Sequence, residues 1–341
     1  MKSKTETQAR ATQLDLEKLA SQRQVSAIYS LFQCQPFWVL VALCTIALVM
    51  SMVSDTFMTE RNLYNTTRNF AFVGIMALGM TTVIITAGID LSVGSLMGLC
   101  GITVGLVMQS GLSIWLGFGA CIGVALIVGL VNGALVAYLK LAPFVATLGM
   151  LAIARSAAMV ISNNKMVDDF GPDQELFEWI GGEDTFGVPN PVWVLLIFTV
   201  VFWVAFRYTR WGRWVFAVGG NQEAARLTGI AVERVIVSVY VISSLTAALS
   251  AFLIVGWFGS VTNALGQTQE LNVIAASVIG GASLMGGYGY AIGAPIGAAL
   301  VEVIRNSLLL AGVEPLWQGT FVGAFIILAV LLQPLRGKRG D

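Results

Sequence analysis

Long apolar stretches recur along almost the whole chain, separated by short polar connections, and nothing else in the sequence constrains the fold as strongly. A helix needs about 17–25 predominantly apolar residues to cross a bilayer, because each backbone polar group must be satisfied within the segment. Ten stretches meet or approach that length: 37–53, 70–87, 92–109, 113–139, 144–161, 191–206, 235–257, 271–287, 290–311 and 319–333. Hydrophobic residues make up 57% of the chain and charged residues 11%, where soluble domains carry roughly a quarter charged. The expectation is an all-α, polytopic membrane protein with about ten transmembrane helices. Two of the ten, 92–109 and 271–287, are glycine-rich enough to be broken or re-entrant.

Charge placement orients the spans. The tail 1–36 carries Lys2, Lys4, Arg10, Lys18 and Arg23, has no signal-peptide pattern, and reads as a cytoplasmic extension. The other tail, 336–341, carries Arg336, Lys338 and Arg339. Both termini are therefore expected in the cytoplasm, which requires an even number of spans. Threading ten leaves Lys140 and the arginines of 207–234 (Arg207, Arg210, Arg213, Arg226, Arg234) inside. It leaves 162–190 outside, where Asp168, Asp169, Asp173, Glu175, Glu178, Glu183 and Asp184 accompany a single lysine.

Spans two to five and seven to ten form blocks of similar length that start on opposite sides, the pattern of two inverted repeats. Each block holds a glycine-rich interruption, GIDLSVGSLMG at 88–98 and VIGGASLMGGYGYAIGAPIG at 278–297. Such paired interruptions accompany transport paths. Other classes are poorly served. The chain has no histidine, and its cysteines (Cys34, Cys44, Cys100, Cys121) show no metal or redox spacing. A formal net charge of zero with no long basic run argues against nucleic acid. No GxxxxGK[ST] phosphate loop is present, so an ATP-driven process would need another chain to bind ATP.

Between the membrane blocks lies a polar, amphipathic stretch, Val218–Glu233, read as one short basic helix on the cytoplasmic face. Four segments then carry a family resemblance: GIDLSVGS (88–95), PFVATLG (143–149), EAARLTG (223–229) and VIGGASLMGG (278–287). Over about residues 37–335 the chain resembles permease subunits of bacterial ABC importers for monosaccharides, the ribose, xylose, arabinose and galactose group. The resemblance implies a fold similar to the vitamin B12 importer permease, with ten helices and no catalysis of its own. It implies a second permease copy, a cytoplasmic ATPase that binds ATP and Mg, and a periplasmic sugar-binding protein. A bacterial inner-membrane location and import as the direction follow from it too. Glu223, Ala224, Ala225, Arg226 and Gly229 match the EAA-x3-G signature that docks such permeases onto their ATPase. An amphipathic surface helix lying on headgroups would read similarly.

The candidate path residues are Asp90, Ser92, Ser95, Asn132, Glu302 and Asn306. Asp90 could line the helix break, or cap the next helix by accepting from the N–H of Ser92 or Val93. Glu302 and Arg305, three apart on one helix, could pair as a structural unit or line a polar route. Arg155 reads as a snorkelling side chain. The acidic loop 162–190 and the segment 259–270 are candidate contacts for an extracytoplasmic partner. An ion-coupled secondary carrier for a small polar solute, titrating Asp90 and Glu302, is the alternative function.

Overall fold

The computed structural model describes residues 34–314 and scattered positions up to 324. Most of the 1–36 tail, most of the tenth expected span (319–333) and the 336–341 tail lie outside the described residues. Twelve helices are described: α1 (Gln35–Val53), α2 (Glu60–Ile85), α3 (Val93–Gln109), α4 (Ile114–Ala137), α5 (Pro143–Ile161), α6 (Gln174–Gly182), α7 (Asn190–Tyr208), α8 (Arg210–Gly220), α9 (Gln222–Leu227), α10 (Val232–Phe258), α11 (Gln269–Ile279) and α12 (Gly293–Leu310). Seven of them are long and apolar enough to cross a membrane, and α3 and α11 are shorter apolar helices. Nine of the ten expected stretches thus carry an apolar helix among the described residues. The chain is a multi-pass, mostly helical membrane protein.

The centre of the bundle is α2, in which every residue from Ala71 to Ile85 is buried. α10 lies antiparallel to it. Arg68 sits over the Trp257 ring at 3.8 Å, Ser250 Oγ donates to the Phe72 carbonyl at 3.0 Å, and Gly79 backs onto Ser243 and Thr246. α4 packs on the far side of α10, where Gly129 and Gly133 bring its backbone against Val241 and Val237. Lipid tails offer no hydrophobic drive between helices, so small residues that admit close backbone packing hold these contacts. The two blocks do start at opposite ends, since α2 and α10 are antiparallel. Their glycine-rich interruptions are not equivalent, however. The first follows the first helix of its block and the second follows the second helix of its block.

The peripheral helices leave apolar side chains exposed, among them Trp115 and Ile127 of α4, Val145 and Ile153 of α5, and Ile197 and Val200 of α7. A bilayer covers such faces. The 162–190 stretch, expected as a loop, is a packed cap. Its helix α6 buries Phe177 against α10, with Gly181 against the Leu253 carbonyl and Gly256 against the Phe177 carbonyl. Asp168, Asp169, Glu175, Glu183 and Asp184 stay exposed on this cap.

The segment 259–270 also departs from expectation. Only its start lies at the cap, where the two-residue strand Ser260–Val261 pairs antiparallel with Val167–Asp168. From there the chain descends along α3: Val261 faces Gly105, Leu265 faces Gly101, and Gly266 abuts Gly94. From Gly105 to Gly94 is eleven helical positions, or about 16 Å at 1.5 Å per residue. That is roughly half the thickness of a hydrocarbon core of about 30 Å. α11 therefore begins mid-depth and is a half-helix of 11 residues, in the stretch 271–287 expected as a span that could be broken or re-entrant. The physical reason is local. Gly280, Gly281, Gly286 and Gly287 end helical order within that stretch, and the upper half of its path is non-helical chain packed on α3.

Candidate functional site

The polar stretch between the blocks is two helices and a turn rather than one helix. Thr209 caps α8, its hydroxyl accepting from Gly212 N–H at 3.0 Å. Asn221 then adopts an extended conformation (φ −161°, ψ 108°) and caps α9, accepting from Ala224 N–H at 2.9 Å. α9 ends six residues later in a Schellman turn. Ile230 N–H bonds the Ala225 carbonyl at 3.1 Å, Gly229 N–H bonds that of Arg226 at 3.0 Å, and Gly229 sits at φ +84°. Val232 and Glu233 already belong to the first turn of α10.

Within EAARLTG, Glu223, Ala224, Arg226 and Gly229 are exposed, and Leu227 is 89% exposed. Ala225 is not part of this face. It is buried, packed in a cluster with Val215, Val218 and Val232 that seats α9 on α8 and α10. Arg226 pairs with Glu233 at 2.6 Å and with Glu223 at 3.3 Å, and Lys140 reaches Glu233 at 3.3 Å. These exposed pairs set geometry more than stability.

This exposed element is joined to the membrane core through backbone. A Cβ at Gly219 would collide with the Ile85 carbonyl, and Gly286 sits against the Gly219 carbonyl and Ala87. Gly287 N–H donates to the Ile85 carbonyl at 2.8 Å. The end of α2, just ahead of the first interruption, thus meets the second interruption and the end of α8 at one point. The sequence reading missed this junction, and paired glycines at 219–220 and 286–287 were the available signal.

Asp90 is fully buried in the first interruption. Its Oδ1 accepts from Ser92 N–H at 3.0 Å and from Ser92 Oγ at 2.6 Å. Its Oδ2 accepts from Ser243 Oγ on α10 at 2.9 Å. Asn132 Nδ2 on α4 donates to Ser92 Oγ at 2.9 Å, and Thr147 Oγ1 on α5 reaches the Ile89 carbonyl at 3.2 Å. The N–H of Ser92 is bonded, but in a turn that precedes α3: Ser92, not Asp90, holds the N-cap position of that helix, which has no side-chain cap. Asp90, Ser92 and Ile89 together tie the break to α10, α4 and α5.

Glu302 and Asn306 lie elsewhere, in a polar ladder between α12 and α2. Glu302 Oε1 accepts from Asn69 Nδ2 at 3.2 Å, and its Oε2 accepts from Arg305 at 3.2 Å. Asn306 Nδ2 donates to Asn62 Oδ1 at 2.8 Å and to Thr66 Oγ1. Both carboxylates that an ion-coupled carrier would titrate are thus engaged by neighbouring side chains.

Ser95 lines a cavity of about 530 Å³, with Arg155, Asn263, Gln267 and Glu270 among its neighbours. Arg155 does not snorkel. It turns inward, and its Nη1 donates to the carbonyls of Asn263 at 2.5 Å and Leu265 at 2.8 Å. No ring of three or more metal-ligating side chains occurs among the described residues.

Comparison with known proteins places this architecture. Residues 62–330 match the family described as branched-chain amino acid transport system, permease component. The chain belongs to that family. The ribose import permease protein of Escherichia coli (strain K12) is 37% identical over 294 residues, covering 86% of this chain and 92% of that protein. The fructose import permease protein of Rhizobium meliloti is 37% identical over 270 residues, covering 77% of this chain and 74% of that protein. A solved metal-chelate type ABC transporter in an inward-facing conformation covers 89% of this chain and 97% of its own, at TM-score 0.46 and 15% identity. The permease family is thus the one expected from the four motifs. Its description names amino acids, whereas both relatives are named for sugars.

Proposed function

We propose that this chain is the permease subunit of an ATP-driven, binding-protein-dependent importer and forms the translocation path for a monosaccharide or related polyol. The observation that carries the mechanism is the junction of Gly219 with Ile85 and Gly287, which links an exposed helix to the end of α2 and to the second interruption of the membrane core. Relatives named for ribose and fructose import support the solute class.

In this reading Glu223, Ala224, Arg226 and the Gly229 turn form the face presented to a cytoplasmic ATPase, and Ala225 seats it. ATP and Mg bind that partner. Closure of its cassettes pushes α9, and the buried Val215–Val218–Ala225 cluster carries the push as a rigid body to the glycine junction. A second permease copy completes the path. A periplasmic sugar-binding protein docks on the cap, where the exposed carboxylates steer a basic surface. The chain resides in the bacterial inner membrane with both termini cytoplasmic.

The test is purification of tagged permease from its native membrane in mild detergent, followed by partner identification and an ATPase assay. A stoichiometric ATPase that is lost with Glu223→Lys supports the reading, because Glu223 is exposed and its reversal leaves the fold intact. Permease recovered alone, with uptake abolished by a protonophore, would favour the ion-coupled carrier.

A further inference from the structure

The segment 262–268 raises a physical question that the coupling mechanism does not answer. Non-helical backbone at membrane depth is tolerated only where protein buries it or where it lines a wet cavity. Here both hold. One side packs on α3, where Gly266 lies against the Gly94 carbonyl so closely that neither position admits a side chain. The other side borders the 530 Å³ cavity, within the range of small-molecule sites.

The wall of this cavity is built rigidly. Arg155 clamps the carbonyls of Asn263 and Leu265. The Asn263 side chain accepts from Ser162 Oγ at 3.0 Å and donates to Asn164 Oδ1 at 3.0 Å. These bonds consume the Asn263 amide and one guanidinium nitrogen. Gln267, in the turn before the half-helix α11, and Glu270, in its first turn, line the cavity by contrast, and neither side chain closes on Arg155 within salt-bridge or hydrogen-bond distance among the described residues. Glu270 lies beside Gly94 and Ser95, at the deep end, while Asn164 marks the cap end.

An amide, a carboxylate and the remaining guanidinium nitrogens offer both donors and acceptors around one space. That complement suits hydroxyl groups, each of which donates and accepts. The apolar lining is limited to side chains such as Leu151 and Met159, enough for the C–H face of a sugar ring. We propose that this cavity is a way station for a neutral, polyhydroxylated solute at mid-membrane, with Gln267 and Glu270 as its hydrogen-bonding residues and Arg155 as the positioning residue of its wall. The inference rests on the importer reading and names where along the path the solute is held.

The test uses the complete transporter, permease with its ATPase and binding protein, in proteoliposomes loaded with ATP. Gln267→Leu removes the amide's donors and acceptor from the cavity, and Glu270→Leu removes the carboxylate's acceptors. Uptake of labelled ribose or fructose, whichever the wild type imports, is expected to fall about tenfold in each, the effect of roughly 1.4 kcal/mol. Co-purification of the ATPase at wild-type stoichiometry reports that the variants fold and assemble. A second measurement uses Gln267→Cys, which a water-soluble maleimide is expected to label more slowly when the imported sugar is present. Uptake unchanged in both variants, or labelling unaffected by the sugar, overturns the site. Protection by leucine or isoleucine in place of sugar also overturns it, in favour of an amino-acid path. Wild-type complex that imports nothing with ATP removes the importer reading itself, and the way station with it.

Discussion

Gly219 has room for a hydrogen and nothing larger, because the Ile85 carbonyl occupies the place of its Cβ. Gly220, one position on, has open space around it. Gly219→Ala must therefore separate α8 from the end of α2 and from the second interruption, whereas Gly220→Ala displaces nothing. ATP-driven uptake is expected to be lost in the first and retained in the second, with thermal stability in detergent following the same order. Equal behaviour of the two variants would show that the junction does not couple. Asp90 makes a different kind of demand. Asp90→Ala strands the hydroxyls of Ser92 and Ser243 in a fully buried site, at a cost of about 1–3 kcal/mol. Ser243→Ala removes one donor and leaves Oδ1 still doubly bonded, so its loss of thermal stability is expected to be the smaller of the two.

At the scale of elements, α9 is only six residues long and depends on its two ends. Asn221→Ala removes the side-chain acceptor for Ala224 N–H, a loss of ~1 kcal/mol, whereas Asn221→Asp keeps it. The alanine variant is expected to weaken co-purification of the ATPase and the aspartate variant to preserve it. Such ends were only partly legible in the sequence. Apolar runs placed nine helices, because membrane depth imposes a length that composition reveals. Gly229 was legible as a turn, since only glycine adopts φ +84° without strain. The break at Asn221 was not, because an amphipathic pattern carries through a single extended residue. The descent of 262–268 was illegible for a related reason: its contacts with Gly94 and Gly101 are made by residues more than 150 positions away in the chain. The bond from Ser243 to Asp90, 153 residues apart, belongs to the same class. Periodicity reports a residue's own helix and is silent about which neighbour it meets.

At the scale of the molecule, α2 measures the protein from end to end. Tyr64 OH donates to the Gly182 carbonyl of the acidic cap at 3.1 Å, and the Ile85 carbonyl meets Gly287 and Gly219 beside the arginine-bearing helices. The 21 positions between Tyr64 and Ile85 span about 31 Å at 1.5 Å per residue, close to the thickness of a hydrocarbon core. The exposed carboxylates of the cap and the exposed Arg207, Arg210, Arg213 and Arg234 therefore face opposite sides of the membrane. The proposed orientation, from the lysine and arginine bias, has the arginine end inside. In a background with Cys34 and Cys44 replaced by serine, the two remaining cysteines are buried. Glu175→Cys is then expected to react with a membrane-impermeant maleimide in spheroplasts, and Arg213→Cys only after permeabilisation. The reverse pattern would turn the molecule over and place the EAARLTG face where no cytoplasmic ATPase could reach it. Labelling of both from one side would contradict the antiparallel packing of α2 and α10 on which the architecture stands.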